Sequence, residues 1–403
     1  MSEEESSNES GERRIHVLEV IGNGIVGGVE VAVGNLIRQL PDERFSITCL
    51  CPYESAFTVS LRQMGCKVFI APIRDDLSWQ AIEMAVGVIR HHQVDLIHAH
   101  IQNAHTLAGI AGRLTHTPTV ATLHSMQLGM QELSVSRLTR THLILLCQAA
   151  YAQALAVGIA PQEMTLIPNG VDLERFTPHA SGADFRARIG VPMGVPLVGF
   201  VGRLSWEKDP EKFVRVAERV HQKCPDVHFA IVGEGPRADE VAALIRQMGV
   251  ADYVHLAGLW KNTPEVYPAF DIFVQTSRSE GMPLSIMEAM ACARPVVAIA
   301  VGGVAELVEA DTSGLLFSPG DWEGVACGLI ELLTHPERLK QMGQAGRKRV
   351  EEMYDLRTSA RLTGDLFQRL VNTPASETHL WQTAWTEAGS DDEEGSPPMT
   401  FSP

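Results

Sequence analysis

The strongest constraint on this chain is a rhythm. Seven short apolar runs occupy its first half: RIHVLEV (14–20), FSITCL (45–50), KVFIA (67–71), VDLIHA (94–99), TVATLH (119–124), HLILLC (142–147) and MTLIP (164–168). Amphipathic stretches such as 28–40, 78–92 and 103–114 separate most of them. Strand-like runs that alternate with helical patterns build βαβ units around a parallel sheet. The rhythm breaks at about 170–196, where Gly170, Pro178, Gly182, Pro192, Gly194 and Pro196 surround one short helical piece, DFRARIG. It then restarts with VPLVGFVG (195–202), VHFAIVG (227–233), YVHLAG (253–258), DIFVQTS (271–277), RPVVAIA (294–300) and GLLFS (314–318). Helices are expected at about 209–223, 236–248, 283–292, 321–334 and 337–353.

The expected fold is therefore α/β, with two Rossmann-like, doubly wound parallel-sheet domains facing a cleft. The expected bounds are 14–190 for the first domain, with the connection inside 170–196, and 191–354 for the second. A length of 403 residues suits two cores better than one. Open α/β sheets bind ligands beyond the carboxyl ends of their strands, so two facing sheets would share one site. The stretch DLRTSARLTGDLFQRLVN (355–372) reads as a final amphipathic helix.

Charge adds an exclusion. The formal net charge is −16, but −4 of it lies in residues 1–13 and −6 in residues 373–403. Both ends read as solvated, disordered acidic tails, and no basic nucleic-acid footprint is present. The seven cysteines are scattered without a CxxC pair, which fits reduced thiols in a cytosolic protein. The N-terminus shows no apolar signal core, and no apolar run reaches about 18 residues. A cytoplasmic protein without a membrane span is expected.

Chemistry concentrates in SRSEGMPLSIMEAMACARPVV, residues 277–297. Glu280 precedes a helix whose first turn suits Pro283. Glu288 lies within that helix, among Leu284, Ile286, Met287, Met290 and Ala291. A carboxylate in so apolar a helix either points into a solvent gap or accepts hydrogen bonds from partners. The N–H groups of residues 281–284 would offer a phosphate seat at the helix tip. Helical rise puts Glu288 about 6–9 Å further along, in reach of a sugar hydroxyl. That is a nucleotide-sugar geometry. FVGRLSWEKDP adds Arg203 and Lys208 just after a strand, a pair of cations suited to a diphosphate. Alone, that pair also reads as ordinary surface charge.

Together, Glu280-x7-Glu288, the GR…K at 202–208 and IPNGVD at 167–172 resemble the group 1 (family 4) retaining glycosyltransferases of the GT-B fold. The resemblance runs from about residue 15 to 370 and includes GGVEVAV, ATLHS and VGEGP at 232–236. It implies that Arg203 and Lys208 bind the donor diphosphate and stabilise the leaving group. It places Glu288 on the ribose hydroxyls and Glu280 over the transferred sugar. Gly281, Met282, Pro283 and Leu284 would touch sugar and phosphate, and Gly233 joins the donor-binding set. Gly27 and Gly28 would bring the first-domain loop to the diphosphate, and His124 would lie near the reacting sugar. The last helix would return to the first domain. One departure is visible: Asp209-Pro210 stands where the family often has Lys-Gly.

The reaction so implied is substitution at the anomeric carbon with retention, by a front-side route through an oxocarbenium-like species. Glu280 is not read as a covalent nucleophile, because the glycosidase logic needs two acids flanking one bond. The donor is a nucleotide-diphosphate sugar, with a UDP-sugar favoured. It is a substrate, and neither a metal nor another cofactor is called for. The acceptor stays open between a glycan, a lipid-linked molecule and a small molecule. Segment 125–142 reads as an amphipathic helix lining the cleft, with peripheral membrane contact as the second reading. A sugar-nucleotide epimerase of the same fold, or a non-catalytic nucleotide-sugar-binding protein, remains an alternative.

Three other patterns are weaker. Gly22-x-Gly24-x-x-Gly27 has dinucleotide spacing, but no acid ends the next strand, FSITCLCP. His98-x-His100 with His105, near His91 and His92, suggests a metal site, yet no nearby carboxylate or cysteine completes a set. Structural or cleft-lining histidines are the favoured reading. No P-loop motif occurs.

Overall fold

A computed structural model of the chain describes residues 13–373 apart from Val26, Gln127, Leu128 and Lys261. The first lobe holds β1 (Ile15–Ile21), β2 (Phe45–Cys51), β3 (Lys67–Ile70), β4 (Leu96–His100), β5 (Thr119–Leu123), β6 (His142–Leu145) and β7 (Met164–Leu166). They pair in parallel in the order β3-β2-β1-β4-β5-β6-β7. The second lobe holds β8 (Leu197–Val201), β9 (His228–Val232), β10 (Val254–Gly258), β11 (Ile272–Gln275), β12 (Val296–Ile299) and β13 (Gly314–Phe317). These are also all parallel, in the order β10-β9-β8-β11-β12-β13. Each apolar run named above forms one of these strands.

Helices cover the sheets. Those of the first lobe are α1 (Gly28–Gln39), α2 (Ala56–Gln63), α3 (Trp79–His91), α4 (Gln102–Thr115), α5 (Met130–Thr139) and α6 (Gln148–Ala156). The connection contains α7 (Ala183–Ile189). The second lobe adds α8 (Pro210–His221), α9 (Ala238–Met248), α10 (Leu284–Ala291), α11 (Val304–Leu307), α12 (Trp322–Thr334) and α13 (Pro336–Met353), and α14 (Leu356–Asn372) follows on the first lobe. None of the described helices is long and apolar enough to cross a membrane.

Within the connection, α7 buries Arg186, which donates to the carbonyls of Ala269, Pro192 and Val195 and pairs with Asp271 at 3.0 Å. The connection is thereby fastened to the second lobe. The chain also passes between lobes near Val171 and near Leu356, and the two crossings bond each other. Val171 N–H donates to Tyr354 O (2.9 Å) and Leu356 N–H to Val171 O (3.1 Å). α14 then packs on α1 and β4, with the Phe367 ring against Phe45 and His98.

One apolar cluster is continuous across the cleft, joining Leu146, Cys147 and Ile167 to Met282, Ile286 and Val304. A polar clamp accompanies it. No side chain of its own lobe caps the start of α6, and the Glu306 carboxylate from the second lobe accepts from Gln148 N–H (2.9 Å) and Ala149 N–H (3.0 Å). An anion at a helix N-terminus satisfies orphan donors and the helix dipole together.

Two expectations need comment. Arg13, assigned to the acidic tail, is described and pairs with Asp95 at 3.0 Å; the tail residues 1–12 and 374–403 lie outside the described residues. Within segment 125–142, α5 buries Leu133 and Ser136, while Met130 and Leu138 are exposed.

Candidate active site

The second-lobe half of the site is built on three strand ends. After β8, Gly202 leads to Arg203, which is exposed and whose side chain makes no hydrogen bond or ion pair among the described residues. Gly233 follows β9 with φ of 140°, and a side chain there would strike the Gly202 carbonyl at 1.9 Å. Glycine is therefore required where these two turns meet. Lys208 ends the turn before α8. Pro210 opens that helix, as a proline can, after Asp209 has taken a left-handed φ of 48°.

After β11, the loop of residues 276–283 is stitched to the Lys208 turn. Thr276 Oγ donates to the carbonyls of Lys208 and Asp209 at 3.1 and 3.0 Å. Arg278 pairs with Asp209 at 2.8 Å and lies over the Trp206 ring. These bonds bring Lys208 Nζ within 2.6 and 2.7 Å of the two oxygens of Glu280. Gln275 also donates to the buried Glu280 carboxylate and in turn accepts from Ser285 Oγ at 3.1 Å. Glu280 is thus held from two sides at the entrance to α10, whose first-turn N–H groups have no helical partners.

Glu288 lies further along α10, half-buried, and accepts from the Tyr267 hydroxyl. Burial pushes its carboxyl up to about 7, against the pull of Tyr267 and Arg175. Its partner in the free protein is therefore a phenol, and a solvent gap is not its only contact.

The first lobe approaches from across the cleft. A side chain on Gly281 would meet the His124 carbonyl at 2.2 Å, so the two backbones touch. Asn169 Nδ2 donates to Met282 O at 2.9 Å. Leu284 and His124 line a cavity of about 50 Å³ together with His98, His100, Thr122 and Asn169. Gly27 caps α1, and its N–H donates to Glu30 Oε2 at 2.9 Å. Burial raises the Glu30 carboxyl, and the nearby Arg203 charge opposes that rise. The Arg203 charge is thus felt at the start of α1 across the cleft. Gly28, beside Gly27, is exposed with open space around its Cα. His124, Glu280, Gly281 and Lys208 form one contiguous group, while Glu288 sits apart on the flank with Tyr267.

The histidines take a form the sequence did not reveal. The reading that no carboxylate accompanies His98 and His100 is corrected: Glu19 of β1 lies between them, fully buried, 3.1 Å from His98 Nδ1 and 2.7 Å from His100 Nε2. His98 Nε2 meets Thr122 Oγ1 at 2.7 Å, and His100 Nδ1 meets His124 Nε2 at 3.0 Å. Burial works against the Glu19 anion, but the two histidines outweigh it and hold the carboxyl at about 2. Burial lowers His100 to about 4 and His105 to about 3, and pushes His124 well below the usual imidazole range. The signal for Glu19 was a charge inside a core strand. His91 and His92 take no part: their rings meet edge to face at the end of α3, with His92 against Phe69.

Two family models match this chain: Glycosyltransferase Family 4 over residues 26–175 and Glycosyl transferases group 1 over residues 183–349. The chain is 29% identical to the 2-deoxystreptamine N-acetyl-D-glucosaminyltransferase of Streptomyces fradiae, over 78% of this chain and 84% of that one. It is 24% identical to the UDP-Gal:alpha-D-GlcNAc-diphosphoundecaprenol alpha-1,3-galactosyltransferase of Escherichia coli, over 86% and 95%. In fold it is similar to Anabaena HepE in complex with UDP and glucose, with a TM-score of 0.78, 22% identity, and coverage of 88% of this chain and 100% of that one. With its two parallel-sheet lobes, this chain is a glycosyltransferase and belongs to the group 1 family of the GT-B fold.

Proposed function

We propose that the protein moves a sugar from a nucleotide-diphosphate sugar, with UDP as the favoured nucleotide, to a glycan, lipid-linked or small-molecule acceptor, with retention at the anomeric carbon. The observation that carries this reading is the Lys208–Glu280 pair at the entrance to α10, facing His124 across the cleft. Arg203, Lys208 and the α10 N-terminus hold the diphosphate. As the glycosidic bond breaks, charge grows on the leaving phosphate, and fixed cations and aligned N–H groups stabilise it without reorganisation. Gly233 lets the Arg203 turn approach closely. Gly27 and Gly28 close over the diphosphate from the first lobe. Gly281, Met282, Pro283 and Leu284 line the sugar and phosphate.

Glu280 accepts from hydroxyls of the transferred sugar, and Lys208 keeps it oriented. Glu288 accepts from the ribose hydroxyls, exchanging the Tyr267 bond for ligand bonds. His124 contacts the reacting sugar from the other side. No metal or other cofactor enters this scheme. The leaving phosphate takes the acceptor's proton as the new bond forms on the face that the leaving group vacates.

A panel of UDP-, GDP- and ADP-sugars incubated with the protein tests the proposal. Release of nucleoside diphosphate from one donor, followed by an acceptor screen and determination of the anomeric configuration, is the expected result. Interconversion of the sugar on its nucleotide, or binding with no turnover in the presence of acceptors, would replace the reading.

A further inference from the structure

Among the described residues no lysine or arginine pairs with Glu19, and it has no access to solvent; its two oxygens are met by His98 Nδ1 and His100 Nε2. An ionised carboxylate only accepts hydrogen bonds. Each ring must therefore turn an N–H toward it, and a neutral imidazole then carries a bare nitrogen on its other side. On His98 that nitrogen takes the Thr122 hydroxyl. On His100 the bare Nδ1 faces His124 Nε2 at 3.0 Å, so His124 must carry its hydrogen on Nε2. The remaining ring nitrogen of His124, Nδ1, is then a bare acceptor on a half-buried residue, one position past β5, that lines the cavity shared with Leu284 of the second lobe.

Two observations show that the fold builds this chain of bonds. Glu19 stands opposite His98 in the β1–β4 register, and His100 stands opposite Thr122 in the β4–β5 register. Side chains two positions apart share a sheet face, so one face carries the whole set. Second, Ile101, which follows His100, has φ 66° and ψ 160°. A β-branched residue in that glycine-favouring region is strained, and such strain persists only where the surroundings enforce it. The three donor groups of Glu19, His98 and His100 lie within 4.8 Å of one another. A cation there would have to displace the mutual bonds that already engage both nitrogens of each ring.

We propose that Glu19 is a positioning residue that acts through His100 to fix the Nε2–H tautomer of His124, presenting Nδ1 as an acceptor for a hydroxyl of the transferred sugar. The inference rests on the placement of His124 beside the donor sugar proposed above. It gives the buried carboxylate a role in substrate recognition at a distance of two imidazoles. A sugar whose hydroxyl donates to Nδ1 is matched, and an analogue that offers only an acceptor there is refused.

Nitrogen-15 two-bond correlation spectra of the histidine-labelled full chain read tautomers directly, with His124 assigned by the loss of its signals in His124→Asn. The expected wild-type result is a single Nε2–H form. Glu19→Met removes both acceptors, so His124 should become a mixture of tautomers. Turnover should then fall on the order of tenfold to 100-fold while nucleotide affinity holds. Glu19→Asp should recover the single form and most of the turnover. An Nδ1–H form in the wild type overturns the proposal without any variant having to fold. So does an unchanged Nε2–H form in Glu19→Met. Mixed tautomers with full turnover would overturn the contact between His124 and the sugar. If the wild type turns over no nucleotide sugar, the proposed function fails, and the wild-type spectrum still decides the wiring.

Discussion

Lys208 Nζ lies 2.6 and 2.7 Å from the two oxygens of Glu280, although 72 positions separate the residues. The contact makes a cation and an anion one unit, anchored by Gln275 on one side and by the Thr276 bonds to the Lys208 turn on the other. Lys208→Ala should slow nucleotide release by roughly 10²–10³-fold, as removal of one donor to a growing oxyanion does. Because the two side chains act together, the double variant with Glu280→Gln should cost little more than the worse single one. Steady-state rates on the four proteins check this, and additive losses would show that the residues act separately.

Glu288 brings a pH dependence. Burial raises its carboxyl from an ordinary value of 4.5 to about 7. In the proposed complex the ionised form accepts the ribose hydroxyls, so nucleotide affinity should strengthen as pH rises through about 7 and then level off. Glu288→Gln should flatten that profile in calorimetric titrations. The sign for stability is opposite. Between about 4.5 and 7 the folded chain keeps a proton that the unfolded chain has lost, so this group's contribution to stability declines as pH rises.

Glu306 fastens one lobe to the other. Its carboxylate caps α6 from the opposite lobe through Gln148 and Ala149. Glu306→Ala should weaken the closed form by about 1 kcal/mol, the typical value of a lost cap. Small-angle scattering should report a larger radius of gyration, and the donor KM should rise more than kcat falls. An unchanged scattering profile would show that the clamp does not hold the lobes.

Arg186 tests the connection. Substitution by Met removes the charged donor from three backbone carbonyls and leaves the Asp271 carboxylate with the Leu197 N–H alone among its described partners. Loss of about 3 kcal/mol is expected, because acceptors left without their charged donor are costly. Denaturant unfolding measures it, and a wild-type midpoint would contradict the assigned role.

The strands were legible because each is a short apolar run between turn residues, and Glu280, Glu288, Arg203 and Lys208 were legible because their spacing is local. Contacts between distant elements were not. Glu19 meets His98 only because β1 and β4 are neighbours in the sheet, which a separation of 79 positions conceals. Tyr267 reaches Glu288 from a single turn of 3-10 helix, a piece too short to carry a pattern. α6, QAAYAQALA, has small and apolar residues all round and so lacks the one-sided stripe that marks an amphipathic helix. Gln275 looked like an ordinary strand residue until the Ser285 hydroxyl was seen across from it.

In the proposed complex one nucleotide-diphosphate sugar is held between Arg203, Lys208, Glu280 and Glu288. Calorimetric titration of UDP-sugars into the full chain, with nucleotide release followed in parallel, tests it most directly. The account predicts saturable binding of one donor with slow release of the diphosphate, and loss of that release in Lys208→Ala. Absence of binding by any activated sugar, or equal release by Lys208→Ala, would contradict it.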